Sequence, residues 1–214
     1  MTVADDAATS EESDASVIER SWHEPERFGA IFDAYFAEIH RYVARRLDVH
    51  VADDIASETF HAAFRQRRSY DLSRRNARPW LYGIATNMIG RHRRDERRKL
   101  RALERLPVDR ADGDGDGDEE RIAARVSAHG VRESLAKAMA GLPDGQRDVL
   151  LLVVLADLTY EQAGEALDVP LGTVCSRFDR ARRKLRKALG GTNPLRDEGP
   201  DRLPDRLRDE EKTR

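Results

Sequence analysis

The sequence is poor in cysteine and in aromatic residues. The first shortage argues against disulfide-bonded and cysteine-zinc proteins, and the second argues against a protein with one large core. Cys175 is the single cysteine, so an intramolecular disulfide framework is excluded and a zinc site built on cysteines lacks its ligands. Aromatic residues form 6% and charged residues 36% of the 214 positions. That balance favours two modest cores over one large core.

Long hydrophobic runs are also missing. The longest run, Val149 to Ala156, is far shorter than the roughly 20 residues that a membrane-spanning helix needs. The N-terminus, MTVADDAATSEESDAS, has neither the basic region nor the apolar region of a signal peptide. We therefore expect a soluble, cytoplasmic protein that does not enter a membrane.

No catalytic constellation stands out along the chain. The sequence contains no nucleophile paired with a base, no metal-ligand cluster and no phosphate-binding loop, so we expect neither an enzyme, a cofactor nor a small-molecule substrate. The DGDGDGDEE stretch imitates a calcium loop through Asp112, Asp114 and Asp116, but Ala123 stands where a bidentate Glu is required. A flexible polyanionic tether is the favoured interpretation, and a metal-dependent nuclease that uses Asp114 and Asp116 is the enzymatic alternative.

The formal net charge of −2 conceals a strong segregation of charge. Residues 84–101 are densely basic, whereas residues 107–120 are densely acidic. A basic segment inside a nearly neutral chain is the pattern of a localised polyanion-binding surface.

Composition and periodicity predict an all-α fold with two small helical domains, an N-terminal helical bundle and a C-terminal helix-turn-helix bundle. We expect a disordered acidic N-terminus at 1–24, a first domain at 25–105, a flexible acidic linker at 106–128, a second domain at 129–190 and a disordered charged tail at 191–214.

Three helices are expected in the first domain. An apolar stripe from Phe28 to Leu47 predicts the first, and a second is expected from about Ala52 to Gln66. Residues 69–76 have turn character, and the third helix runs from Trp80 to about Leu100 because Pro79 is tolerated near a helix start. This third helix is apolar at its beginning and cationic at its end. Nucleic acid is the favoured partner for the cationic end, although the helix dipole alone stabilises a few cations there.

The stretch from Thr159 to Lys187 predicts two short helices joined by a tight turn. Thr159 and Gln162 form a capping-box pattern, Asp168 lies at the turn, and Pro170 can begin a new helix but not continue the old one. Val174 and the apolar residues that follow it at helical spacing face a core. The opposite face carries Thr173, Ser176, Arg177, Arg180, Arg183 and Lys184.

That polar and cationic face suits the major groove of DNA, where phosphate contacts position the helix and base contacts specify the sequence. The alternative is an ordinary solvated face. It is disfavoured because the single acid in this helix, Asp179, is too little to pair with the many cations.

Four segments, in this order, resemble the bacterial RNA polymerase sigma factors of the extracytoplasmic-function (ECF) type. They cover both predicted domains. The segments are DDIASETFHAAF (53–64), RPWLYGIATNMIGRHRR (78–94), LPDGQRDVLLL (142–152) and TYEQAGEALDVPLGTVCSRFDRARRKLR (159–186).

The resemblance implies a sigma region 2-like first domain and a sigma region 4-like second domain. Core RNA polymerase, through its beta-prime clamp and beta flap, and promoter DNA are the implied partners, and an anti-sigma factor is a further candidate. The implied polymerase-binding residues are Asp53, Asp54, Ile55, Glu58 and Phe60. The implied residues for recognition and melting of the minus-ten element are Tyr70, Asn76, Arg78, Trp80, Asn87, Arg91, Arg93 and Arg94. The exposed face of the last helix would bind the minus-thirty-five element.

The sequence departs from the family pattern at a few positions. Ser57 stands where Gln is usual, and Cys175 and Asp179 reduce the positive charge of the last helix. Cys175 is interpreted as incidental, with redox sensing as the alternative. Trp80 is either a core residue or a DNA contact. The main competing function is that of an operator-binding helix-turn-helix regulator, which would leave the basic third helix unexplained.

Overall fold

The computed structural model describes residues 12–103 and 134–189, and every regular element in these ranges is helical. The chain separates into two compact units, Met1–Ile89 and Gly90–Arg214, with the boundary inside a long helix. The all-α prediction is confirmed. The expected limits at 105–106 and 128–129, the acidic linker and the charged tail lie outside the described residues.

The first unit contains α1 (Asp14–Arg20), α2 (Gly29–Ala44), α3 (Val49–Gln66) and the beginning of α4 (Arg78–Leu103). Short 3₁₀ turns at Pro25–Phe28 and Arg67–Ser69 precede α2 and follow α3. Three of the helices were expected, and α3 begins three residues earlier than predicted.

Apolar residues from α2, α3 and α4 form the core of this unit. Tyr42 and Tyr82 are both fully buried, and their rings meet edge to face at 4.9 Å. The Tyr42 hydroxyl lies 2.9 Å from Thr86 Oγ1 and also receives a hydrogen bond from Arg46, so the hydroxyl oxygen is satisfied inside the core. These contacts fix α4 against α2.

The expectation of disorder over residues 1–24 is wrong for the part that the structure describes. Ser13 caps α1 by accepting a hydrogen bond from the amide of Ser16 (3.3 Å), and Ile18 is fully buried. The segment was expected to be disordered because its composition is mostly acidic. However, two buried apolar side chains, Ala15 and Ile18, are enough to anchor a two-turn helix onto a larger core.

The second unit contains α5 (described over 134–140), α6 (Asp144–Val154), α7 (Tyr160–Leu167) and α8 (Leu171–Ala188). Its core joins α6 to α8 through Leu150, Ala181 and Leu185, against which Met139 and Phe178 pack. Helix α7 packs on both α6 and α8. The predicted inner face of α8 is confirmed, since Val174 is fully buried on it.

No helix among the described residues is both long enough and apolar enough to cross a membrane.

Candidate nucleic-acid and partner-binding surfaces

The turn between α7 and α8 is built by a capped helix, a left-handed residue and a proline. Thr159 Oγ1 accepts from the amide of Gln162 (3.1 Å), while Gln162 Oε1 accepts from the amide of Thr159 (3.0 Å), which confirms the predicted capping box. Asp168 ends α7 in the left-handed region at φ 52°, and Pro170 precedes the first residue of α8. The helix-turn-helix predicted from local sequence is therefore present.

The predicted recognition face of α8 divides into three kinds of residue. Arg180, Arg183 and Lys184 are exposed, and their charges are open to solvent. Thr173 and Ser176 are half-buried, and the Ser176 hydroxyl donates to the Thr173 carbonyl (3.1 Å). The cations therefore dominate the accessible part of this face.

Arg177 is less accessible than Arg180 and Arg183. It is half-buried, and its guanidinium rests on Gly145 at the beginning of α6, where a Cβ would come within 3.2 Å of the Arg177 side chain. Arg177 therefore lies at the edge of the predicted face and is partly covered by α6. The helical period places it at the edge of the buried stripe, and the absence of a side chain at Gly145 leaves room for it.

Cys175 is half-buried on α8. Burial raises the pKa of its thiol, and the nearby charge of Asp179 raises this pKa further. A raised pKa lowers the thiolate fraction, which is the reactive species. The interpretation of Cys175 as incidental is favoured over redox sensing.

Residues 70–76 form an ordered loop between α3 and α4. Tyr70 is buried, donates its hydroxyl to the Arg74 carbonyl (2.6 Å), and packs against Trp80 with ring centroids 4.9 Å apart. Asp71 accepts from the amide (3.1 Å) and hydroxyl (2.7 Å) of Ser73, and these hydrogen bonds lower the pKa of the Asp71 carboxyl. Trp80 is half-buried beside this loop.

The other residues expected at the minus-ten element separate into internally bonded and exposed groups. Arg78 is half-buried and donates to Glu38 Oε1 (2.6 Å), and Asn76 Oδ1 accepts from the Arg78 amide (2.8 Å). The structure therefore ties Arg78 to α2. The residues farther along α4 are half-buried at Arg93 and exposed at Asn87, Arg91 and Arg94.

Three of the predicted polymerase-binding residues of α3 form an exposed acidic face. Asp53 and Asp54 are exposed, and Asp53 Oδ1 lies 2.7 Å from His40 Nε2. Glu58 is also exposed, and a hydrogen bond from Arg65 lowers the pKa of its carboxyl.

The two apolar members of this set are less accessible. Ile55 is half-buried, whereas Phe60 is only 4% exposed. The Phe60 ring packs against Phe32 (5.1 Å) and Phe36 (5.8 Å), so a direct partner contact through Phe60 is not available in this structure. Helical periodicity places Phe60 on the face of α3 that α2 covers. Resemblance to a family does not reveal this burial.

Two polar residues that position these surfaces were missed. Asp14 Oδ2 accepts from the Ala77 amide at the beginning of α4 (2.7 Å), and the Arg147 guanidinium donates to the Met139 and Leu142 carbonyls (2.9 and 2.7 Å). The Ser13-Asp14 pair before an apolar residue is a helix-start signal that could have revealed α1. No local signal marks Arg147.

Among residues 12–103 and 134–189, no group of three or more His, Cys, Asp or Glu residues is arranged to hold a metal ion. The calcium-like loop considered in the sequence lies outside the described residues.

Two family models match this chain. The model described as Sigma-70 region 2 matches residues 31–99, and the model described as Sigma-70, region 4 matches residues 138–187. The first match spans most of α2, all of α3 and most of α4, and the second spans α6, α7 and most of α8.

Curated relatives match over most of their own length. The ECF RNA polymerase sigma factor SigW of Bacillus subtilis is 33% identical over 170 residues, which cover 76% of this chain and 88% of SigW. SigM of the same species is 30% identical over 162 residues, covering 74% of this chain and 92% of SigM. The ECF sigma factor SigC of Mycobacterium tuberculosis is 32% identical over 158 residues, covering 73% of this chain and 80% of SigC.

Solved structures share the fold at low sequence identity. CnrH, in complex with the cytosolic domain of CnrY, has a TM-score of 0.55 at 22% identity, covering 83% of this chain and 97% of CnrH. The sigma factor RpoE in complex with the anti-sigma factor NepR from Bartonella quintana also has a TM-score of 0.55, at 19% identity, covering 77% of this chain and 98% of RpoE. Because two sigma-70 segments lie in one chain and its relatives are matched nearly end to end, this chain belongs to the ECF family of RNA polymerase sigma factors, which direct RNA polymerase to promoters at transcription initiation.

Proposed function

We propose that the two helical units divide promoter recognition between them. The helix-turn-helix of α7 and α8 binds the minus-thirty-five element, while the unit built from α2, α3 and α4 binds core polymerase and opens the minus-ten element. The observation that supports this division most strongly is the exposed row Arg180, Arg183 and Lys184 on a helix whose opposite face is buried.

On α8, the residues have different roles in this proposal. Thr173 and Ser176 lie in the first two turns of the helix, where a recognition helix meets base edges, and Arg180 follows one turn later. Arg183 and Lys184 bind phosphates, which strengthens binding without selecting a sequence. Arg177 holds α8 against α6 through its contact with Gly145 and thereby sets the angle at which α8 enters the groove.

The acidic face of α3 is the proposed docking site for the polymerase beta-prime clamp. Asp53, Asp54 and Glu58 supply exposed carboxylates, and the half-buried Ile55 supplies an apolar contact between them. Phe60 supports this face from beneath by packing on Phe32 and Phe36. A basic partner surface would complement this arrangement and accelerate association.

Melting of the minus-ten element requires no catalytic group. A protein opens a duplex when it binds unstacked bases more tightly than paired bases, which offsets a cost of a few kcal/mol per base. The exposed part of Trp80 and the loop at 70–76 provide a stacking surface beside Asn87 and Arg91, while Arg93 and Arg94 bind backbone phosphates. In this proposal the protein is not an enzyme and acts in the cytoplasm, where polymerase does the chemistry.

Two further partners belong to the proposal. The beta flap of polymerase would contact the region 4-like unit, and an anti-sigma factor would cover the same surfaces that bind polymerase. The structural neighbours CnrH and RpoE were solved in complexes with the cytosolic domain of CnrY and with the anti-sigma factor NepR, respectively, and this supports a similar mode of regulation here.

Run-off transcription with core RNA polymerase tests the proposal directly. Genomic fragments are transcribed with and without the purified protein, and start sites are mapped. The expected result is a set of starts that appear only when the protein and core polymerase are both present. An operator-binding regulator would instead bind its site without polymerase in a gel-shift assay. Failure to associate with core polymerase, with no inhibitor present, would overturn the proposal.

A further inference from the structure

The segment from Asp14 to Trp22 lies against both ends of the loop at 70–76. We propose that this segment is a clasp that fixes the loop in the shape that captures unpaired bases, with Asp14 as its main positioning residue. This inference rests on the proposed role of the loop at the minus-ten element. Neither of the two sigma-70 family matches includes the segment.

The first contact of the clasp is at the end of the loop where α4 begins. Asp14 Oδ2 accepts from the Ala77 amide (2.7 Å) and from the Tyr35 hydroxyl (2.6 Å). The Tyr35 hydroxyl also lies 3.5 Å from Asn76 Oδ1, and Asn76 in turn accepts from the Arg78 amide. One carboxylate therefore links α1, α2 and the Ala77 amide immediately before α4, where a negative charge is favourable.

The second contact is at the opposite end of the loop. The Trp22 indole donates to the Arg67 carbonyl (3.2 Å), and the Arg67 guanidinium donates to the Ser21 carbonyl (3.2 Å). Arg68 also donates to the Trp22 carbonyl (3.3 Å). Arg67 and Arg68 belong to the 3₁₀ turn that leads directly into Tyr70. The clasp thus holds the chain on both sides of the loop.

The clasp itself is anchored and internally bonded. Ile18 and Ser21 are fully buried, and the Ser21 hydroxyl donates to the Ile18 carbonyl (2.6 Å). Since these anchors are buried, the segment cannot shift without exposing apolar surface. The buried segment therefore contacts both Arg67 and Ala77 from a fixed position.

A loop held at both ends loses less conformational entropy when it binds a flexible strand. The clasp would therefore raise affinity for unpaired bases without contacting DNA. It would leave core-polymerase binding unchanged, because no residue of the acidic face of α3 takes part in these contacts.

The test uses full-length protein bound to core RNA polymerase. The probe is a fluorescein-labelled single-stranded oligonucleotide with the non-template sequence upstream of a start site mapped by run-off transcription. The variants are Asp14→Ala, Asp14→Asn, which keeps an acceptor oxygen, and Trp22→Phe, which keeps the ring but not the donor. The matched control is Glu12→Ala, which removes a nearby carboxylate that pairs with Arg20 (3.0 Å) and does not contact the loop.

We expect Asp14→Ala to weaken single-strand binding about ten-fold, because it removes both charge-assisted hydrogen bonds, from the Ala77 amide and from the Tyr35 hydroxyl, that hold this end of the loop. Asp14→Asn and Trp22→Phe should fall between this variant and the parent, and Glu12→Ala should match the parent. Core-polymerase affinity should stay within about two-fold in all variants, since mutations at separate sites act independently.

The inference is overturned if Asp14→Ala binds the single strand as tightly as the parent, if Glu12→Ala is as defective as Asp14→Ala, or if core-polymerase affinity falls in parallel. A parent holoenzyme that does not bind the single strand would instead overturn the proposed function of the loop. The two failures are therefore distinguishable.

Discussion

Gly164 and Val169 approach each other across the turn of the helix-turn-helix. The Gly164 carbonyl accepts from the Val169 amide at 3.0 Å, and a Cβ on Gly164 would lie only 2.9 Å from the Val169 carbonyl oxygen. Any side chain at position 164 must therefore displace the backbone of the turn. This contact sets how closely α7 can lie to the start of α8.

Replacing Gly164 with alanine should lower the free energy of unfolding of the second unit by about 1–3 kcal/mol, the usual cost of overpacking. Thermal and urea melts of the full chain would measure this change. Gly172→Ala is the matched control, because a Cβ there meets nothing within 4 Å, and it should be neutral or stabilising by up to about 1 kcal/mol. Equal effects of the two substitutions would contradict the contact.

The left-handed conformation of Asp168 makes a second prediction. Its φ of 52° is costly for a residue with a side chain, and glycine adopts it freely. Asp168→Gly should raise the urea midpoint by the equivalent of about 0.5–1 kcal/mol at an unchanged slope. Asp168→Val should lower the midpoint, because a β-branched residue at positive φ is strained. A loss of stability in Asp168→Gly would show that the carboxylate matters more than the backbone.

The stability of the second unit should require the guanidinium group of Arg147, and a lysine should not replace it. Its guanidinium donates to the carbonyls of Met139, Ala140 and Leu142 at 2.9, 2.8 and 2.7 Å, and it pairs with Asp144 at 3.1 Å. A lysine ammonium cannot donate to all of these acceptors from one position, as the planar guanidinium does. Arg147→Lys should therefore lower the free energy of unfolding by about 1.5–3 kcal/mol. The control Arg183→Lys changes an exposed cation and should stay within about 0.5 kcal/mol.

The buried phenol of Tyr82 and the half-buried phenol of Tyr35 should make the stability of the first unit sensitive to alkaline pH. Burial, together with hydrogen bonds to Asp14 and Glu38, raises the pKa of Tyr35 and Tyr82 above the ordinary value. The folded state then retains protons that the unfolded state loses above about pH 10, so stability is complete below that pH and falls as pH rises further. Tyr82→Phe should flatten this fall in pH-dependent melts. A slope identical to that of the parent would refute the prediction.

The cations of α8 should differ in their effect on DNA binding. Lys184→Ala should weaken minus-thirty-five binding equally for matched and mismatched sites and reduce the salt slope by about 1. Arg180→Ala should also relax sequence discrimination, by about 1–3 kcal/mol if it contacts a base. Fluorescence anisotropy of the holoenzyme at several salt concentrations would separate them. Lys137→Ala, a cation outside α7 and α8, is the control and should change neither property.

Local features of the helix-turn-helix were predictable because neighbouring residues decide them. Thr159 and Gln162 are three positions apart, so their capping box needs only one turn of helix. The spacing of Val174, Ala181 and Leu185 likewise defines the buried face of α8. The turn at Asp168 follows from the proline two positions later.

Side-chain roles that depend on distant residues were not predictable in the same way. Resemblance assigned Arg78 to DNA and Phe60 to polymerase, but Arg78 is bonded to Glu38 and Phe60 is packed under Phe32. Each of these partners belongs to α2, which approaches only after the helices assemble. The spacing of apolar residues predicts which face of a helix is buried, but it does not predict which other helix packs on that face.

The sequence by itself determined the helices, the caps, the cationic face of α8 and the family, since these depend on the order of nearby residues. Tertiary structure alone decided that Asp14 meets Ala77, that Arg177 rests on Gly145, and that Arg147 completes the end of α5. The first two of these pairings join residues far apart in the chain, and the third joins one helix to the start of the next. They form because packing brings polar groups together away from water, where each must find a partner.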